Sequence, residues 1–242
     1  MSILSKNKSF KGGVHPSEWK ELTEHLPLEV MPNPAKVIIP ISQHIGKPAK
    51  PLVKKKDEVK AGQVIAEADG FVSAAIHSPV SGIVKDIHRE IAVSGFPKDS
   101  IIIEAKEENE TLLMPPLDPS KVSPGEIRQR VKEAGIVGQG GAAFPTFVKL
   151  SPPENAKIDY VILNGCECEP YLTRDDRYMI DRPTDVLMGL KLIMTALGVD
   201  KGAIGIENNK PEAIEIMKEA VKFEPNIQVE VLQTKYPQEL YL

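Results

Sequence analysis

The spacing of apolar residues changes once along this 242-residue chain, and the change divides it. From Ala35 to about Glu104, short runs of β-branched residues are broken by turn signals: Val37-Ile38-Ile39, Val59, Val64-Ile65, Phe71-Val72, Val80, Ile83-Val84 and Ile101-Ile102-Ile103. This pattern predicts a compact all-β module over residues 35–105, with turns at Gly46, Gly62, Asp69-Gly70, Ser81-Gly82 and Gly95, where glycine tolerates a positive φ. Lys54-Lys55-Lys56, followed directly by Asp57 and Glu58, reads as a solvated turn. Residues 106–122 are charged and then proline-rich, with Pro115, Pro116 and Pro119, and are read as a linker.

Beyond the linker, helix and strand alternate. Ser123-Pro124-Gly125-Glu126 is a capping-box sequence with proline at the first helical position, and it predicts a helix carrying Ile127 and Val131 on one face and ending near Gly135. Tyr160 to Leu163 reads as a buried strand, and Val186 to Leu197 as a helix stopping at Gly198. Strand at 203–206, helix at 213–221 and strand at 227–232 follow. The order βαβαβ predicts a parallel sheet over 123–242. The fold class is therefore α+β multidomain: an N-terminal all-β module, then an α/β parallel-sheet domain. Residues 1–34 are polar and aperiodic, and they read as a surface arm anchored by Phe10, Val14 and Trp19.

Charge and cysteine content narrow the function classes. A net charge of −4 argues against nucleic acid as the main partner, which calls for a basic surplus. No stretch reaches the roughly 18–20 apolar residues of a membrane span, and Val186–Leu197 is interrupted by Lys191. Cys166 and Cys168 are the only cysteines and sit too close for an ordinary disulfide framework, which fits a reducing compartment. A metal reading of Cys-x-Cys lacks further ligands, because His15, His44, His77 and His88 are scattered.

Two segments carry the chemistry. Gly138-Gln139-Gly140-Gly141-Ala142-Ala143-Phe144-Pro145-Thr146 is glycine-dense and can bring bare backbone N–H groups against a phosphate or a planar ring. Asn164-Gly165-Cys166-Glu167-Cys168-Glu169-Pro170 is a polar turn leaving an apolar strand, where α/β proteins place ligands. Together they suggest a nucleotide-type cofactor pocket.

Gly135 to Thr146 with Lys149, then Asn164 to Pro170 and Arg174-Asp175, resembles the flavin- and nicotinamide-binding region of the NADH-oxidising flavoprotein subunit of respiratory complex I. Phe10 to Pro16, Ile39 to Gly46, and Asp69 to Ser73 through His77 to Gly82 resemble the RnfC family, the peripheral subunit of the Rnf electron-transport complex, and this resemblance runs to about Gln238. It implies an FMN held in the α/β domain, exchanging electrons with NAD(H) and wired to two [4Fe–4S] clusters. It also implies cofactor-binding roles for Gly138, Gly140 and Gly141 against the FMN, for Phe144 stacked on the nicotinamide, and for Lys149 near the phosphate or nicotinamide. Asn164, Cys166 and Glu167 would line the flavin, and Glu169 would contact the dinucleotide. No residue is assigned as a catalytic acid or base. The two segments are expected to converge on one cradle.

Gln139 stands where the complex I subunit shows arginine, and Cys166 and Cys168 stand where it shows aspartate and glycine or serine; the thiols resemble the Rnf branch, and at those two positions they depart from the pattern on which the hydrogen-bonding roles rest. The β module resembles a lipoyl or biotinyl barrel-sandwich domain, with 59–65 and 78–84 as its two halves. The stretch Glu67 to His77 holds no lysine to modify, so the module is read as a docking surface for neighbouring subunits. The family continues past Tyr236-Pro237-Gln238 into two cysteine runs that bind the clusters, so this chain is expected to be a C-terminally truncated form without cluster ligands. The implied partners are the other Rnf subunits and NADH or NAD, on the cytoplasmic side of the membrane and peripheral to it. The rival reading is a non-catalytic assembly module. A related quinone-reductase subunit matches the two motifs less well.

Overall fold

The computed structural model describes residues 10–108, 110–139 and 142–238. The chain divides into two compact units, residues 31–156 on the one hand and residues 1–30 with 157–242 on the other.

In the unit of residues 31–156, seven strands form two antiparallel sheets: β1 (Lys36–Pro40), β2 (Lys50–Pro51), β3 (Glu58–Val59), β4 (Val64–Glu67), β5 (Ile76–His77), β6 (Gly82–Ile91) and β7 (Pro97–Ala105). One sheet has the order β1-β7-β6-β3 and the other β2-β4-β5. Ile39, Ile65, Ile76, Val84, Ile101 and Ile103 pack between them as a single apolar core. The expected strand signals at Phe71-Val72 and Val80 fall instead in turns. Their backbone groups are spent locally: Asp69 N–H donates to Ser73 Oγ, Lys47 N–H to the Val72 carbonyl, and Ser78 Oγ–H to the Val80 carbonyl. Gly82 is not a turn glycine of positive φ. It lies in β6, where a Cβ would stand 2.2 Å from the Glu104 carbonyl oxygen, so close strand pairing requires glycine there.

The stretch after β7 stays on the barrel. The Ala61 N–H donates to the Glu110 carbonyl, Leu112 N–H donates to the Ala61 carbonyl, and Ser81 Oγ–H also donates to Glu110. Helix α1 (Pro124–Glu133) then starts on the expected capping box, with Ser123 Oγ accepting from Glu126 N–H and the Glu126 carboxylate accepting from Ser123 N–H. A short helix, α2 (Thr146–Lys149), follows the glycine loop, and Phe147 at its start meets Phe71 edge-on. The expected linker and first helix therefore lie in the same compact unit as the barrel.

In the other unit, β8 (Val161–Asn164), α3 (Arg174–Asp181), α4 (Pro183–Leu197), β9 (Gly202–Glu207), α5 (Pro211–Ala220) and β10 (Ile227–Leu232) form a parallel sheet of order β10-β9-β8. The central strand β9 is buried along its whole length, Glu207 at its end included, as a parallel strand covered on both faces should be. Leu190, Met194, Ile204, Ile206, Met217 and Ile227 make the core. Helix α3 lies between the polar turn at 164–170 and the expected helix at 186–197, where the sequence predicts no element. Its only buried apolar residue is Met179, too weak a periodic signal to mark it. The arm is fastened to this unit: Val14 pairs antiparallel with Tyr236, and Lys235 Nζ–H donates to the Phe10 carbonyl.

Candidate functional site

All three strands of the parallel sheet end in polar turns, at the carboxyl edge where open α/β sheets bind ligands. Leaving β8, Asn164 is exposed, and its Oδ1 accepts from the Cys166 N–H, closing a tight side-chain turn. Gly165 N–H donates to the Gly205 carbonyl at 2.9 Å, and a Cβ at Gly165 would stand 2.9 Å from that same oxygen. Glycine at 165 is therefore demanded by the sheet itself. Cys166 and Cys168 are buried thiols with no disulfide.

Glu167 is 2% exposed and sits at the centre of the edge. Its Oε1 accepts from Asp175 N–H at 2.9 Å, in the first turn of α3, where the helix dipole favours negative charge. Its Oε2 stands 3.6 Å from Lys210 Nζ, an ion pair almost wholly out of water, and receives no hydrogen bond from the described residues. The Glu167 N–H donates to Glu207 Oε2, and Glu207 Oε1 accepts from Lys235 N–H beyond β10. One carboxylate at the end of β9 thus ties together the turns that follow β8 and β10. Asn208 Oδ1 accepts from both the N–H and the hydroxyl of Thr234, and Asn209 Nδ2–H donates to Glu18 of the arm. Burial pushes the carboxyls of Glu207 and Asp176 above the ordinary carboxylate range. Glu169 is half-buried at the far end of the turn.

The glycine loop belongs to the other unit. Gly138 N–H donates to the Phe144 carbonyl at 2.9 Å and Thr146 N–H to the Ile136 carbonyl at 2.9 Å, so the loop is a backbone-closed hairpin leading into α2. Phe144 is half-buried, and exposed Lys149 holds its Nζ 5.9 Å from the centre of that ring. A Cβ at Gly138 would meet nothing nearer than 3.7 Å, and its φ is not in the left-handed region, so nothing among the described residues requires glycine there. Gly140 and Gly141 lie outside the described residues.

The structure thus groups Asn164, Cys166, Glu167 and Glu169 in one unit, and Gly138, Phe144 and Lys149 in the other. Sequence reasoning missed Lys20, Glu207 and Lys210. Glu207-Asn208-Asn209-Lys210 is itself a polar run leaving an apolar strand, the same signal that marks 164–170. Among the described residues no group of three or more His, Cys, Asp or Glu is placed to hold a metal ion, and no helix is long and apolar enough to cross a membrane.

Comparison with known proteins places these features. Residues 8–108 match the RnfC barrel sandwich hybrid domain, and residues 131–239 match the Nuo51 FMN-binding domain. A subunit of the proton-translocating ferredoxin:NAD(+) oxidoreductase complex of Clostridium ljungdahlii is 49% identical over 234 residues, covering 96% of this chain and 51% of its own length. The corresponding subunit of the Na(+)-translocating complex of Acetobacterium woodii is 45% identical over 241 residues, with 96% and 53% covered. Its counterpart in an ion-translocating oxidoreductase complex of Rhodobacter capsulatus is 42% identical over 235 residues, with 95% and 45% covered. The chain spans about half the length of these curated relatives. With the barrel-sandwich module and the FMN-binding domain in this order, and with this identity over nearly all its residues, the chain belongs to the RnfC family.

Proposed function

We propose that this chain is the FMN-holding, NAD(H)-reacting part of an ion-translocating ferredoxin:NAD oxidoreductase, peripheral to the membrane on its cytoplasmic side and assembled with other Rnf subunits. The observation that carries this reading is the turn after β8: a backbone and a set of buried charges fixed at the carboxyl edge of a parallel sheet, inside the segment matched by the FMN-binding model. The residues present fit the cofactor. Among the described residues nothing gives Gly138 a steric or conformational reason to be glycine, as expected where a planar or anionic ligand lies against backbone. Lys149 is an exposed cation beside that loop and suits a phosphate.

In this reading Gly138, Gly140 and Gly141 give the ligand close approach to the main chain. Phe144 offers a rigid π surface to the nicotinamide. Asn164 orients the ring system through its exposed amide, Cys166 and Glu167, buried and bonded within the protein, back the turn from behind, and Glu169 contacts the dinucleotide. Bound FMN supplies the chemistry, taking two electrons together from NADH and releasing them singly toward iron–sulfur centres. The protein's part is to hold donor and acceptor rings in reacting contact, at roughly 3–3.5 Å, and to keep water out. No side chain needs to move a proton.

Titrating FMN into the chain, with flavin fluorescence and melting temperature recorded, tests this. The expected result is quenched fluorescence and a raised melting temperature, followed by loss of the oxidised flavin spectrum on anaerobic addition of NADH. Absence of both quenching and stabilisation at saturating FMN contradicts the proposal and favours a non-catalytic assembly module.

A further inference from the structure

Backbone carbonyls withdrawn from water need hydrogen-bond partners, and in the turn after β8 one buried and two part-buried carbonyls converge on one ammonium. Lys20 Nζ–H groups donate to the carbonyls of Glu167 at 2.7 Å, Glu169 at 3.0 Å and Leu172 at 2.7 Å. Lysine has three N–H donors and no acceptor, so the three carbonyls use its full capacity. The residue is 4% exposed, an unusual place for a lysine unless its charge is fully engaged. Burial is the largest influence and lowers its pKa, the neighbouring Lys210 lowers it further, and the carboxylates of Glu167, Glu207 and Glu18 oppose both.

The surrounding contacts are built to deliver this side chain. Trp19 adopts a left-handed backbone conformation at φ 53° just before it, and its ring lies parallel to that of Tyr171 with centroids 6.5 Å apart. Tyr171 N–H donates to the Glu18 carbonyl at 2.9 Å, and the hydroxyls of Thr23 and Thr173 meet at 2.9 Å. Residues 18–23 therefore run along the turn, with the ammonium at the middle of the contact. The segment so held, 167–173, contains Glu167, Cys168 and Glu169.

We infer that Lys20 is the positioning residue of the cofactor turn: through three carbonyl hydrogen bonds, a side chain of the N-terminal arm fixes the backbone of 167–172, and with it the turn that leads from Asn164 to Glu169. This rests on the FMN reading above for the identity of the ligand. The clamp itself does not depend on it. The arm is thereby a working part of the binding domain, and removing the ammonium leaves a small site lined by carbonyls that selects a cation bearing N–H donors.

The test combines hydrogen–deuterium exchange at residues 166–172 with FMN affinity measured by fluorescence. Lys20→Met in the folded chain should speed exchange at 166–172 and weaken FMN by about tenfold or more. In Lys20→Ala, methylammonium should restore slow exchange and FMN binding, whereas tetramethylammonium, which has no N–H, should not. If Lys20→Met does not fold, Lys20→Gln, with two donors, should give intermediate exchange. Unchanged exchange in a folded Lys20→Met or Lys20→Gln variant overturns the inference, as does equal recovery with tetramethylammonium. If the unsubstituted chain takes up no FMN while exchange at 166–172 still responds to Lys20→Met, the FMN reading fails and the positioning role stands.

Discussion

The glycine loop and the polar turn after β8 carry the same kind of sequence signal, a compact run of ligand-type residues, yet they are held in opposite ways. The loop is closed by two main-chain hydrogen bonds at its neck, and a Cβ at Gly138 would meet the described residues at no less than ordinary van der Waals distance. The turn is held by side chains: the Glu207 carboxylate beneath it, Lys210 beside it, and Lys20 reaching in from the arm. A loop closed by backbone alone can be shaped by its ligand. A turn resting on buried charges cannot change shape without exposing or orphaning one of them, which costs several kcal/mol. The difference teaches that the turn is pre-organised while the loop is permissive.

The contrast is broken most severely at Glu207. Glu207→Ala removes the acceptor of two backbone N–H groups and should cost about 3 kcal/mol or more, read as a lower denaturation midpoint. A loss below about 1 kcal/mol would show that the turn does not depend on this carboxylate. Next in size is Gly165→Ala, whose Cβ would stand 2.9 Å from the Gly205 carbonyl oxygen and 3.1 Å from Met179 Sδ; overpacking of this kind costs about 1–3 kcal/mol.

A smaller effect is expected from pH. Burial raises the folded-state pKa of Asp176 above its unfolded value, so the folded state binds the proton more tightly. The stability this group contributes is fully present below the ordinary carboxylate pKa and is lost as pH rises through the raised one. Asn does not titrate, so the melting temperature of Asp176→Asn minus that of the unsubstituted chain should grow as pH rises above about 4. A gap that is flat or shrinking over that range refutes the assignment. Smallest of all should be the stability change of Gly138→Ala, within about 0.5 kcal/mol, although the same variant should bind FMN more weakly. A large stability loss with unchanged FMN affinity would make Gly138 a purely structural glycine.

Much of this fold is legible in the sequence where the signal is local. The capping box at Ser123 and Glu126, the apolar runs in β8 and β9, the alternating residues of β10, and the polar turn after β8 each depend on neighbours within a few residues. The failures are non-local. Nothing near Lys20 announces a contact with residues 147 to 152 positions away. The short helix α3 is held mainly by packing against its neighbours, and its own polar sequence conceals it. The glycines look alike as letters. Space separates Gly82 and Gly165, which pairing strands force to be glycine, from Gly138, which nothing among the described residues does. Glu207 is within reach of sequence reasoning, since it opens a polar run after an apolar strand.

The most direct test of the central claim is hydrogen–deuterium exchange across the chain with and without FMN. New protection is predicted in both 136–149 and 164–172, larger in the permissive glycine loop than in the already ordered turn, and none in the barrel strands of 36–105. Protection confined to the barrel, or protection of only one of the two segments, would contradict it.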